Sequence, residues 1–96
     1  MESKKQFEEF KRAIQEMLPE GETFFGAAPM PLGMYLISST RENEHAPIVI
    51  RGFYAPKEVM TDFLVACVDE KAAEAWAKSF IMFVLRQLVH RFGVRA

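Results

Sequence analysis

Cys67 is the only cysteine in the chain. No disulfide can close within it, and nothing in its cysteine usage points to an oxidising compartment. Cys67 sits in Leu64-Val65-Ala66-Cys67-Val68, without the basic or polar neighbours that activate a thiol, so a buried, inert side chain is expected. An excess of charge of one sign is also missing. Lys and Arg total 12, Asp and Glu 13, and the net charge of −1 gives no global electrostatic case for nucleic acid or an anionic membrane. Long apolar runs are absent too. The six residues Phe80-Ile81-Met82-Phe83-Val84-Leu85 are bracketed by Lys78 and Arg86, far short of the roughly 20 residues that span a bilayer. Met1-Glu2-Ser3-Lys4-Lys5 is polar, and a cytoplasmic protein is expected.

Catalytic equipment is scarce. The two histidines, His45 in a polar turn and His90 near the end of the chain, have no nucleophile signature around them, and G-x-S-x-G does not occur. Glu42-x-Glu44-His45 is the nearest approach to metal-ligand spacing and reads as a solvated turn. Asp62 and Asp69 flank an apolar run at no spacing that makes a dyad. Neither G-x-G-x-x-G nor a phosphate-binding loop is found. No catalytic residue, metal or cofactor is expected, and the balance is against an enzyme.

What is present is ordinary globular material for a single domain spanning 1–96, with half of the residues hydrophobic. Phe7, Phe10, Ile14, Met17 and Leu18 form one stripe of a helix over about Lys4–Leu18, with Ser3 as its cap and Pro19-Glu20-Gly21 as its stop. Thr23-Phe24-Phe25 makes a possible short strand. Gly26 to Gly33, with Pro29 and Pro31, reads as an uncharged loop outside regular structure. Met34–Thr40 and Pro47–Ala55 read as strands, with Gly52 marking a bulge or a close backbone approach. Pro56-Lys57-Glu58-Val59-Met60 fits either a turn or a short helical start, and Thr61–Val68 fits a further strand. Asp69 then caps one long helix to Phe92. The expectation is an α+β fold: an N-terminal helix, a three- or four-stranded antiparallel meander, and a long C-terminal helix packed on the sheet.

The strands are apolar on both faces, so each face needs a cover. Either one helix lies on each face, or both lie on one and a second copy covers the other. The last helix carries two ridges. Ala77, Ile81, Val84, Leu85, Leu88 and Phe92 form one; Ala73, Trp76, Phe80 and Phe83 form the next. Met82 falls among Lys71, Glu74, Lys78, Arg86 and His90 on the polar side. From residue 71 onward one acid faces five bases, Lys71, Lys78, Arg86, Arg91 and Arg95, against an acidic middle of the chain.

Two functional readings follow. The first is a non-enzymatic interaction protein, an adaptor, inhibitor or immunity-type module acting as a homodimer. Trp76, Phe80, Met82, Phe83 and Arg86 would self-associate, and Phe24, Phe25, Met30 and Leu32 would face a larger protein partner. The second is a binder of a small anionic ligand such as a nucleotide or phosphorylated metabolite, through Arg51, Tyr54 and Lys57 or through Arg86, His90 and Arg91. The order helix, three strands, helix is shared with double-stranded-RNA-binding domains. Those domains set several lysines at the start of the last helix. Here that turn is Asp69-Glu70-Lys71-Ala72-Ala73-Glu74, which repels phosphate, so nucleic acid is not an expected partner.

Overall fold

A computed structural model describes residues 2–92 of the chain, apart from the side chains of residues 2–4, 62 and 92. The first helix already begins at Glu2, so Ser3 lies within it and does not stand before it as the expected cap. The side chain of Phe92, expected on the core ridge, is not among those described, and Arg95, expected in the basic end, lies outside the described residues. The elements run α1 (Glu2–Met17), β1 (Glu22–Pro29), β2 (Met34–Arg41), β3 (Ile48–Tyr54), β4 (Val59–Cys67) and α2 (Glu70–Phe92). The four strands form one antiparallel meander in the order β1-β2-β3-β4. The chain is an α+β fold with α2 on the sheet.

The stretch from Gly26 to Pro29 belongs to β1, contrary to the expectation of a loop. Its glycine and proline are tolerated because β1 is an edge strand, bonded on one side only. The register against β2 slips between Phe24 and Gly26, where the glycine sits at the irregularity. Pro31–Gly33 then make a tight turn before β2, with Leu32 and Gly33 both at positive φ and the Met34 N–H donating to the Pro31 carbonyl. The ambiguous stretch at Pro56 resolves into both alternatives: Ala55–Lys57 is a 3-10 turn, Glu58 turns left-handed, and β4 follows at once. Gly52 is approached by the Thr61 hydroxyl, which accepts from its N–H at 2.9 Å and donates to its carbonyl at 3.2 Å.

Each face of the sheet carries one helix. On one face Ile14 and Leu18 pack with Ile37 and Phe53, joined by Phe10, Phe24, Tyr35 and Met60. The ring of Phe10 lies 5.3 Å from Tyr35 and 6.1 Å from Phe53, a compact aromatic corner. On the other face Leu36, Ile48, Ile50 and Cys67 meet Ala73, with Trp76, Ala77, Phe80 and Ile81 alongside. Asp69 caps α2 as expected: its carboxylate accepts from the Ala72 N–H at 2.8 Å. Gln15 ties α1 to the outer edge of β1. Its amide donates to the Glu22 carbonyl and accepts from the Phe24 N–H, both at 2.8 Å.

Strict two-residue alternation, which would set Phe63, Val65 and Cys67 on one face, breaks in β4. Val65 and Cys67 pair with Ile50 and Ile48 on the α2 face, but Phe63 pairs with Arg51 on the α1 face. The register shift between these pairs leaves Leu64 as an extra residue and reverses the facing of what precedes it.

Candidate functional surface on the C-terminal helix

At about 1.5 Å per residue, the 23 residues of α2 make a rod of roughly 34 Å. Only its first half rests on the core. The α2 side chains packed on the buried cluster are Ala72, Ala73, Trp76, Ala77, Phe80 and Ile81. They come from both ridges. Alanines at 72, 73 and 77 let the helix approach closely, so the sheet covers a broad arc that includes the aromatic ridge. Trp76 and Phe80 stack at 4.9 Å with their planes 10° apart, and both are half-buried. The sheet stands between them and α1, so the first helix is not their cover.

Past Ile81 the apolar pattern continues, although no further described α2 side chain packs on the buried cluster. Met82, Phe83 and Val89 are exposed, Phe83 to 56 %, and Val84, Leu85 and Leu88 are half-buried. Arg86 and Gln87 lie exposed among them. Of the five residues expected to self-associate, Met82, Phe83 and Arg86 are at the surface, while Trp76 and Phe80 serve the protein's own core. Further exposed apolar side chains, which the sequence reading did not single out, lie on and after β4: Val59, Phe63, Leu64 and Val68. Their signal was an edge strand carrying more apolar residues than one covered face needs.

Beside the first half of α2, over β1 and β2, runs an open groove. Its floor is Phe25, Gly26, Ala27, Ala28, Leu36 and Ser38, and its wall is Glu70, Ala73, Glu74 and Ala77 of α2. The helix lies mainly over β3 and β4, with Leu36 of β2 also buried beneath it, and the groove opens along its flank on the β1 side.

The segment expected to meet a partner divides in two. Phe24 packs into the α1-side cluster and Met30 against the α2-side one, whereas Phe25 and Leu32 are exposed. Leu32 is 72 % exposed and has φ 64°, a left-handed conformation that costs a branched side chain about 1 kcal/mol.

The residues of the anionic-ligand reading are not gathered in one place. Arg51 lies on the α1 face of β3, and Tyr54, three residues on, points to the opposite face. The Arg51 guanidinium is committed to Glu22, donating through Nη2 at 2.8 Å and through Nε at 3.3 Å. Ser39 donates its hydroxyl to the same carboxylate at 2.8 Å. Burial alone would raise the Glu22 carboxyl. The Arg51 and Ser39 hydrogen bonds and the charges of Arg51 and Arg41 outweigh it and hold it below the ordinary value. This buried polar cluster, absent from the sequence reading, joins β1, β2 and β3. Its one signal was a charged residue inside the apolar run of β3. Lys57, Arg86, His90 and Arg91 are exposed, the last three along the outer half of α2.

Burial and the negative charge of Asp69 push the Cys67 thiol up, so it is poorly suited to nucleophilic work. Among the described residues no group of three or more His, Cys, Asp or Glu could hold a metal ion. No described helix is long and apolar enough to cross a membrane. No family model matches the chain, and neither does any curated protein or solved structure.

Proposed function

We propose that this protein is a non-enzymatic interaction module that acts as a homodimer through α2, in the manner of an adaptor, inhibitor or immunity-type protein. One observation carries the reading. The second half of α2 presents Met82, Phe83 and Val89 to solvent with Arg86 and Gln87 around them, and none of these packs on the buried cluster. Aromatic and methionine side chains ringed by arginine are the composition of an interface centre. Phe25 and Leu32 offer a second apolar contact for a larger protein partner.

Sedimentation equilibrium at micromolar concentration tests it. The expected result is a dimer that Phe83→Glu converts to monomer while the circular dichroism spectrum is unchanged. A wild-type monomer at these concentrations overturns the proposal.

A further inference from the structure

β4 ends the sheet and is bonded to β3 on one side only. Its 9 residues, Val59–Cys67, contain no proline, lysine or arginine, the residues that commonly blunt an edge strand. Apolar side chains stand bare on both sides of it. On the α1 face Phe63 is exposed, because the cluster under α1 takes Met60 from β4 and not Phe63. On the α2 face the helix above β4 exposes Phe83. At roughly 100° per residue, Phe83 lies within about 20° of Ala72 and Trp76 and about 120–180° from Glu70, Glu74 and Ala77. The last three line the groove on the β1 side, so the flank that bears Phe83 looks outward over β4. Resting on the self-association proposed above, we infer that β4 pairs antiparallel with β4 of a second copy of this chain. The twofold axis stands perpendicular to the sheet, and the two α2 helices lie side by side across the seam on one continuous sheet.

Three spacings agree with this pairing. Full overlap of β4 with its copy centres on Phe63, the middle of Val59–Cys67. Phe63 then stands opposite Phe63 of the second copy, and two bare rings cover each other on the α1 face. The strand from Cys67 back to Phe63 spans roughly 13 Å, and α2, returning over the sheet from Glu70, rises that far in about nine residues, near Ser79. Trp76 and Phe83 straddle that level on one flank, so Phe83 of each copy meets Trp76 of the other. A helix lying over β3 and β4 stands about 4.8 Å, one strand spacing, from the seam, which sets the paired helices roughly 10 Å apart, an ordinary helix–helix distance. The helix ends match in charge as well: Asp69 at the start of one α2 lies along the Arg86–Arg91 end of the other. An extended peptide would bond the same strand and leave Phe83 bare. A second copy, with its own helix over the same edge, covers strand and ring together.

Cross-linking and charge test the seam. Phe63→Cys on a Cys67→Ala background is expected to give a disulfide-linked dimer on mild oxidation, since opposed residues of adjacent antiparallel strands stand about 4.5–5.5 Å apart between Cα atoms, within disulfide reach. Phe25→Cys on the same background, exposed at the opposite edge of the sheet, is expected to give none. Phe63→Lys sets two like charges against each other at the axis and is expected to weaken dimerisation about tenfold with the circular dichroism spectrum unchanged. A dimer that Phe83→Glu dissolves, but that forms no disulfide through Phe63→Cys and withstands Phe63→Lys, overturns the seam. The two register shifts of β4 then blunt its edge, and self-association through α2 stands. A protein that is monomeric without substitution overturns both.

Discussion

Replacing Arg51 by methionine removes the cation from the buried polar cluster and keeps most of the aliphatic stem. Glu22 is left with the Ser39 hydroxyl as its remaining side-chain hydrogen bond and with Arg41 nearby. Breaking one member of a buried ion pair costs about 3–5 kcal/mol, because the survivor stays desolvated. The retained hydroxyl puts Arg51→Met at the low end, about 3 kcal/mol at neutral pH. With a urea slope of about 1 kcal/mol per molar for a chain this small, the midpoint should fall by roughly 3 M. The pH dependence is more diagnostic. In the wild type the Glu22 carboxyl is depressed below 4.5, so its contribution is complete above that value and is lost as pH falls through the folded value. Without Arg51 the burial that opposes ionisation is less opposed and the carboxyl should rise. The variant should then recover part of its deficit as the solution is acidified. Urea melts at pH 7 and pH 4, at one protein concentration, read the difference. A deficit that stays constant or grows on acidification would refute the assignment of Arg51 as the counterion that keeps Glu22 charged.

Other substitutions give sharper local tests. Asp69→Ala should cost about 1 kcal/mol in a thermal melt, since it frees the Ala72 N–H at the start of α2. Gly33→Ala should cost about 1–2 kcal/mol, because φ is +77° and the new Cβ would meet Pro56 Cγ at 3.0 Å. Leu32→Asn should stabilise by roughly 0.5–1 kcal/mol, since asparagine tolerates the left-handed conformation that leucine adopts there. The Cys67 thiol should react with a thiol reagent only at the rate of opening, and at full rate in denaturant.

The strands β2 and β3 and the capped start of α2 were legible in the sequence, because runs such as Ile48-Val49-Ile50 and an aspartate before a helical pattern have one dominant physical outcome. The second half of β1 was not. Glycine and proline are turn signals by local chemistry, and only the tertiary fact that β1 lies at an edge makes them acceptable there. The helical wheel separated the two ridges of α2 correctly but could not see that alanines would let one sheet cover both as far as Phe80 and Ile81. The Glu22–Arg51 pair spans 29 positions along the chain, and no local spacing rule connects residues that far apart. The candidate site was legible in part: Met82, Phe83 and Arg86 are where the pattern put them, whereas the groove exists only once α2 settles on β3 and β4.

The side chain of Gln15 imitates a neighbouring strand for one rung of β1, and proline closes the far end of that strand. That margin is therefore answered in part, at Glu22 and Phe24, whereas the β4 margin is not answered in this way. A strand added along the start of β1 must first displace that amide, so lateral growth through both margins is hindered.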